Sequence, residues 1–261
     1  MGSEGGQIRR RAVAAAGTAS LVGAGLLVAA GASHANVTSS QSPQQIVQAA
    51  GTAVKHAKGY EEQAVLHETS GTDRVILIDG GAGHFDMRIA EPHGVAFRFI
   101  LVGHKAYMKA SLAFWKAQEN ASRQAAHQLA SKWYKVPASE FKKTEGSLGA
   151  LSRSELAQCI RSDNGTLSNA GTATVDGHQA VLIKEAGGQP GTTPETVAIA
   201  ASGQPYPLRI TVTGPTRAGG RITACNEGKA SKATGTVKLS HWNSPPAVKA
   251  PLNAITIPKN G

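Results

Sequence analysis

One pair of motifs in the sequence has residue types that could support catalysis. Ser139 and Lys142 form an S-x-x-K motif, and Ser162-Asp163-Asn164 follows as an S-D-N motif. Both occur in serine penicillin-recognising enzymes, in which the lysine activates the serine nucleophile. The third motif of that set, K-T-G, is replaced by Lys143-Thr144-Glu145, and the roughly 20 residues between the first two motifs leave no room for the expected helical domain. The spacing therefore argues against this chemistry.

The sequence has none of the other common catalytic or metal-binding patterns. Eight histidines follow the N-terminal segment, and none lies in a metal-ligand pattern such as H-E-x-x-H. There is no G-x-S-x-G nucleophile motif and no G-x-x-x-x-G-K-[ST] phosphate loop. We therefore predict a binding protein that is not an enzyme and that uses no cofactor or metal.

Two alternating strands that follow Gly83 carry a concentration of bulky apolar residues. A period of two places their apolar side chains on one face. These residues are Phe85, Met87, Ile89, Val95, Phe97, Phe99 and Leu101. A third short strand, over 104–109, follows the Gly103 turn and contains Tyr107. We expect one apolar wall, which is either packed core or the lining of a ligand cavity.

A helix is predicted over 111–132, directly after these strands, with Phe114 and Trp115 near its start. Aromatic residues at helix ends most often fill the core. Alternatively, they line the mouth of a cavity between the helix and the wall, and an apolar pocket with few polar groups suits an acyl chain. The candidate ligand-binding residues are therefore the seven wall residues together with Tyr107, Phe114 and Trp115.

The rest of the chain predicts a single α+β domain over 42–261. Ser42-Pro43-Gln44-Gln45 is a capping-box signature, and the helix that it starts has a plausible stop at Gly59. Another short helix is predicted over 148–159. Strands are predicted near 62–68, 74–79, 172–175, 180–184, 196–201, 208–213, 221–225 and 236–241. Short turns between them favour one curved antiparallel sheet, an incomplete β-barrel, packed around helices.

Residues 1–35 have the features of an export signal. Three arginines at 9–11 precede an Ala/Gly/Val/Leu run over 12–32, and Ser33 and Ala35 fit cleavage before Asn36. The alternative is an uncleaved membrane anchor, since about 20 apolar residues can span a bilayer. Residues 36–41 are predicted to be a flexible spacer. We expect a secreted or extracytoplasmic protein of the cell envelope.

The chain is basic, with a formal net charge of +10 at pH 7. Residues 1–35 contain three Arg and one Glu, which leaves 24 Lys+Arg and 16 Asp+Glu in the remainder. This balance favours attraction to anionic lipid headgroups, wall polymers or nucleic acid, and export argues against nucleic acid. Scattered lysines are also typical of a solvated surface. We expect a monomer with, at most, transient contact with the envelope membrane.

The two cysteines, Cys159 and Cys225, lie 66 positions apart. In an oxidising compartment such a pair most often forms one disulfide. The close ligand spacing of zinc sites is missing, so a metal site is not expected.

Several short segments resemble one family of envelope proteins. They are Val102-Gly103-His104-Lys105-Ala106-Tyr107-Met108-Lys109, Lys132-Trp133-Tyr134-Lys135-Val136-Pro137, Val175-Asp176-Gly177-His178-Gln179-Ala180-Val181 and Gly203-Gln204-Pro205-Tyr206-Pro207-Leu208-Arg209-Ile210. In order and spacing they resemble the actinobacterial branch of LolA-like and LppX/LprG-like lipoproteins, over roughly 44–258. The resemblance implies an incomplete barrel around helices, with an apolar cavity that carries lipids or lipidated proteins. This chain lacks the lipid-attached cysteine of many members.

Two functions follow from these observations. The first is an exported carrier or binding protein for a lipid or acyl-chain ligand, gated by the helix over 111–132. The second is a sensory or regulatory envelope domain that binds a protein partner, since similar half-barrels also serve as envelope-stress regulators.

Overall fold

The computed structural model describes residues 36–117, 122–137, 153–161, 165–220 and 229–256. They form one large, unclosed and mostly antiparallel sheet with few helices, which confirms the predicted α+β fold class. Several sequence predictions lie outside the described residues: the predicted export segment 1–35, the S-x-x-K and S-D-N motifs, Cys225 and the strand predicted over 221–225.

Helix α1, Pro43–His56, begins where the sequence predicts. Ser42 Oγ accepts a hydrogen bond from the Gln45 amide at 3.3 Å, and the Ser42 amide donates to Gln45 Oε1 at 3.0 Å. Both halves of the capping box therefore form. The helix ends at His56, just before the predicted stop at Gly59.

Twelve strands of the described residues form the sheet. Their bounds are β1 Tyr60–Glu68, β2 Gly71–Gly81, β3 His84–Ala90, β4 Ala96–Val102, β5 Lys105–Ala110, β6 Tyr134–Lys135, β7 Leu167–Val175, β8 His178–Glu185, β9 Glu195–Ala200, β10 Pro207–Val212, β11 Thr234–Ser240 and β12 Ile255–Thr256. The order is β12-β6-β5-β4-β3-β2-β1-β11-β10-β9-β8-β7. All neighbours are antiparallel except β12 and β6. The sequence predicted neither β6 nor β12.

Two helices cover one face of the sheet, which we call the inner face; the opposite one is the outer face. The buried side of α1 packs against β8 and β9 through a cluster that contains Ile46, Val47, Val181, Ile183 and Ile199. A second helix, which we number α4, spans Arg153–Arg161, and its Leu156 packs against Tyr60, Leu77 and Leu239. The inner face therefore contains most of the core that the helices share with the sheet.

Close contact between α1 and α4 explains a glycine in the middle of α1. A Cβ atom on Gly51 would lie 2.2 Å from Arg161 Cγ and 2.8 Å from the Ala157 carbonyl oxygen. Because any side chain would clash with a backbone atom, only glycine lets the two helices approach this closely.

The prediction of one helix over 111–132 is wrong. The structure has two short helices, α2 Leu112–Lys116 and α3 Arg123–Leu129. Ser122 interrupts the helical geometry with φ −62° and ψ 153°, which is the extended conformation typical of an N-cap, and its side chain accepts a hydrogen bond from the Ala125 amide. After α3 the chain becomes extended and forms β6. The N-caps at Ser111 and Ser122 therefore start two separate helices within the segment that was predicted to be one helix.

The segment after β11, residues 241–256, is mostly irregular and runs to the opposite edge of the sheet. Pro245 lies against Gly59, and a methyl group on Gly80 would lie 3.5 Å from Val248 Cγ2. The Ile255 amide then donates to the Trp133 carbonyl at 2.9 Å, where β12 pairs with β6. Since Gly80 alternates with the inner-face residue Asp79, this segment crosses the outer face.

The disulfide between Cys159 and Cys225 stays a prediction, because Cys225 lies outside the described residues. Cys159 belongs to α4. We expect titration of native, exported protein with a thiol reagent to detect no reactive thiol, and two after reduction and unfolding. Two reactive thiols in the native protein would contradict the pairing.

Among the described residues, no helix combines the length and the apolar character needed to cross a bilayer.

Candidate functional site

Six of the predicted wall residues share one face of β3 and β4. Directly opposed pairs are Phe85 with Leu101, Met87 with Phe99, and Ile89 with Phe97. Opposed residues point to the same face of an antiparallel pair. Met87 also lies opposite Leu77, which packs against Leu156 of α4, so this face is the inner face.

Two other candidate ligand-binding residues lie elsewhere. Val95 precedes β4, at the end of the short 3-10 helix Pro92–Gly94. Tyr107 lies opposite Ile100 and is buried on the outer face, while Met108 lies opposite Phe99 on the inner face. The β4–β5 turn sets Ala106 opposite Leu101, so Ala106 lies on the inner face. Tyr107 is the next residue along the strand and therefore points to the outer face. Tyr107, a candidate ligand-binding residue, therefore lies on the face opposite the wall.

The wall has a packed centre and an accessible margin. Met87, Ile89 and Phe99 are 3%, 8% and 4% exposed. Phe85, Phe97 and Leu101 remain half-buried on the same face. The margin therefore offers apolar surface that the described residues do not fully cover.

The aromatic residues of α2 extend this margin. Phe114 stacks on Phe97 with ring centroids 5.3 Å apart, and Trp115 meets Phe114 edge-on at 5.4 Å. Ser111 fixes this arrangement, because its hydroxyl oxygen accepts hydrogen bonds from the amides of both Ala96 and Phe114. Phe114 and Trp115 thus lie beside the wall, as the sequence predicted.

Trp115 adds a polar group to these apolar surroundings. Its Nε1 atom is buried and has no hydrogen-bond partner among the described residues. Buried indole N–H groups normally have a partner. This donor is therefore an unsatisfied polar group beside the wall.

A polar cluster lies beside the wall, on β1, β2 and α4. Arg153 of α4 forms an ion pair with Asp79 at 2.8 Å and also donates to the Ala57 carbonyl. Asp79 lies opposite Phe85, so this ion pair adjoins the half-buried margin of the wall. The sequence analysis did not single out either residue.

Glu62 is the second polar feature of this region. It lies on β1 directly between Leu77 of β2 and Leu239 of β11, both of which are buried. Loss of hydration in this apolar setting raises the pKa of Glu62 to about 7. Glu62 as a whole residue is half-buried and lies on the inner face.

A cavity of about 210 Å³ opens on the other half of the inner face, between α1, α4 and β8–β10. Its lining is Val47, Leu156, Cys159, Ile160, Leu167, Ile183, Glu185, Gly191, Thr193, Glu195, Val197 and Ile210. Glu195 lies opposite Glu185, and burial followed by repulsion from Glu185 raises the pKa of Glu195 to about 7. Drug-sized ligands usually occupy about 300–1,000 Å³, so this cavity alone suits only a small group or part of a chain.

Sequence reasoning missed several residues of the inner face. Val136 and Ala106 pack against the wall, and Tyr134 of β6 lies opposite Met108. Glu62 could have been noticed as a carboxylate at an apolar position of an alternating strand. The contribution of β6 to the inner face could not have been predicted, because a strand of two residues is too short to show an alternating pattern.

The comparisons with family models and with curated proteins found no match to this chain. Solved structures do match. LprF from Mycobacterium bovis is 14% identical, with a TM-score of 0.50, over 80% of this chain and 96% of that chain. Lipoprotein LppX from Mycobacterium tuberculosis is 15% identical, with a TM-score of 0.44, over 79% and 98%.

A LolA-superfamily protein from Nitrosomonas europaea also matches, at 10% identity and a TM-score of 0.27, over 80% of this chain and 96% of that chain. At these identities the likeness concerns the fold, and the LprF match carries it. The unclosed sheet of this chain and its helices are therefore similar in fold to LprF.

Proposed function

We propose that this protein is an exported carrier or binding protein for a lipid or acyl-chain ligand, held against the inner face of the sheet. The observation that carries the proposal is the half-buried margin of the wall, formed by Phe85, Phe97 and Leu101 and extended by Phe114. Partly exposed apolar side chains on one concave surface are what a hydrophobic ligand would cover.

The chemistry of the margin fits a ligand with an apolar chain and a small polar part. Apolar area that a chain covers contributes about 25 cal/mol per Å², which favours long hydrocarbon segments. The Trp115 N–H supplies one hydrogen-bond donor for an ester or hydroxyl oxygen. We place the protein outside the cytoplasmic membrane, because residues 1–35 have the pattern of an export signal.

Mass spectrometry of organic extracts tests the proposal directly. Exported protein, purified without detergent, should release a stoichiometric lipid or lipid-like ligand. A matched pair of variants locates the site. Leu101→Asp puts a charge on the inner face and should reduce the bound lipid about tenfold or more, because an apolar chain cannot solvate a carboxylate.

Val102→Asp is the control, since it introduces the same charge one residue later, on the outer face opposite Lys105. It should retain the ligand. Equal retention by both variants, with both folded, would show that the wall does not hold the lipid. A protein that carries no lipid and instead binds one purified membrane protein would support the regulatory alternative.

A further inference from the structure

The Lys and Arg residues of the described strands all lie on one face of the sheet, whereas the carboxylates lie on both. The inner face has carboxylates, namely Glu62, Glu68, Asp73, Asp79, Glu185 and Glu195, and among its described strand positions no Lys or Arg. The outer face has nine cations and two strand carboxylates, Glu61 and Asp86; the cations are Arg74, Arg88, Arg98, Lys105, Lys109, Lys135, Lys184, Arg209 and Lys238. Successive side chains of a strand point to opposite faces, and the register between neighbouring strands decides which residues share a face.

Some outer-face cations form ion pairs, but the acids are too few to neutralise them. Arg88 and Arg98 share Asp86, at 2.9 and 2.7 Å, and its buried carboxylate holds both. Asp176 contacts both Arg209, at 3.3 Å, and Lys238, at 3.4 Å. Each carboxylate therefore leaves one positive charge in surplus.

The remaining outer-face cations add to that surplus. Arg74 and Lys184 are exposed, Lys109 is half-buried, and in the described parts of the chain none of the three has an ion pair. These three residues lie on β2, β8 and β5. Measured along the sheet from β6 to β8, the cations extend over ten strands, or roughly 40 Å at about 4.8 Å per strand, and the segment 241–256 crosses the same face over the buried residues Ile78 and Ile100.

We propose that the outer face docks on the surface of an anionic lipid bilayer. The cations of the outer face are spread too widely to surround a single small anion, and they fit a broad anionic surface better. Within the described ranges, the large hydrophobic residues classed as exposed are Leu252 and Ile255, both in the segment after β11. The strands of the outer face thus lack the exposed aromatic anchors on which protein interfaces depend.

Leu252 adds an apolar contact at the edge of this surface. Its side chain is 86% exposed, and it lies three residues before β12, which pairs with β6 beside Lys135. Cations next to an exposed apolar side chain are the combination that holds peripheral proteins at a lipid headgroup layer. The inner face, with its carboxylates, points away from the bilayer in this orientation.

Sedimentation with lipid vesicles tests the docking. Exported protein should bind vesicles of phosphatidylglycerol and phosphatidylcholine at low salt, bind pure phosphatidylcholine vesicles far less, and dissociate at high salt. Each Lys or Arg near an anionic surface changes partitioning about fivefold. The triple variant Arg74→Gln, Lys109→Gln, Lys184→Gln should therefore bind about 100-fold more weakly.

The matched control removes three cations from outside the outer face: Lys55→Gln, Lys58→Gln and Lys116→Gln. It has the same net charge as the first triple variant and should bind within about threefold of the unchanged protein. An equal loss in both triple variants would show that net charge alone drives binding, and would overturn the docking surface. Inorganic polyphosphate that binds as tightly as the vesicles, with the same dependence on the variants, would overturn the bilayer as the partner.

Discussion

Replacing Phe99 by aspartate is expected to unfold most of the protein at 25 °C. Phe99 is 4% exposed at the packed centre of the wall, opposite Met87 on β3 and Met108 on β5. Truncation of a buried phenylalanine alone costs about 3–5 kcal/mol. The unpaired carboxylate adds several kcal/mol more, against a total stability of about 5–15 kcal/mol for a typical domain.

Urea titration followed by circular dichroism measures this loss. Phe99→Leu, which keeps the site apolar, should remain folded, and so should Val102→Asp on the outer face. A stable Phe99→Asp protein would mean that solvent reaches the centre of the wall. In that case the ligand cavity extends below the half-buried margin formed by Phe85, Phe97 and Leu101.

Raising the pH from 5 to 8 is expected to destabilise the protein by several kcal/mol. Burial raises the pKa of Glu62 and of Glu195 to about 7, with repulsion from Glu185 adding to the effect on Glu195. Burial, together with repulsion from Glu68 and Glu91, raises the pKa of Asp73 to about 6. The unfolded chain has ordinary values near 4, so it releases these protons at lower pH.

The sign follows from proton linkage. A carboxyl with a raised folded pKa stabilises the folded state below its unfolded pKa, and this contribution is lost as the pH rises through the folded value. After allowance for partial exposure, each of the three groups contributes about 1–2 kcal/mol. Stability should therefore decline between about pH 4 and 7.5.

Asp86 acts in the opposite direction at lower pH. Burial opposes its ionisation, but hydrogen bonds from Arg98 and Arg88 outweigh burial and hold the pKa of Asp86 below its usual value. Its contribution is present above the unfolded pKa and is lost as the pH falls through the folded one. Maximum stability is thus expected near pH 4–5.

Thermal unfolding from pH 4 to 8.5 checks this profile. Glu62→Gln and Glu195→Gln should each raise the melting temperature at pH 8 and flatten the decline. Asp176→Asn is a control, because that carboxylate lies in the exposed β7–β8 turn, where it pairs with the partly exposed side chains of Arg209 and Lys238; it should leave the decline with pH unchanged. An unchanged melting temperature across this range, or a rise towards pH 8, would contradict the assignment of the buried carboxyls.

The ligand face was predictable where local pattern determines structure. The alternating pattern alone predicted that six apolar side chains share one face, because successive side chains of any strand point to opposite faces. These residues are Phe85, Met87, Ile89, Phe97, Phe99 and Leu101. The capping box at Ser42 fixed the start of α1, since its hydrogen bonds lie within three residues. The face on which Tyr107 lies was not predictable in this way, because the face of each new strand depends on the register that its turn sets.

Other features depend on contacts between distant segments, which no local pattern encodes. The pairing of β6 with β12 joins residues more than 100 positions apart. The position of Glu62 between Leu77 and Leu239, and of Arg153 beside Asp79, required β11 and α4 to pack against β1 and β2. The sequence determined that the chain is basic and that its strands alternate. Only tertiary pairing decided that the strand cations lie on the outer face and that Glu62, Asp73 and Glu195 lie on the inner face, because every strand's face is set by its neighbours' register.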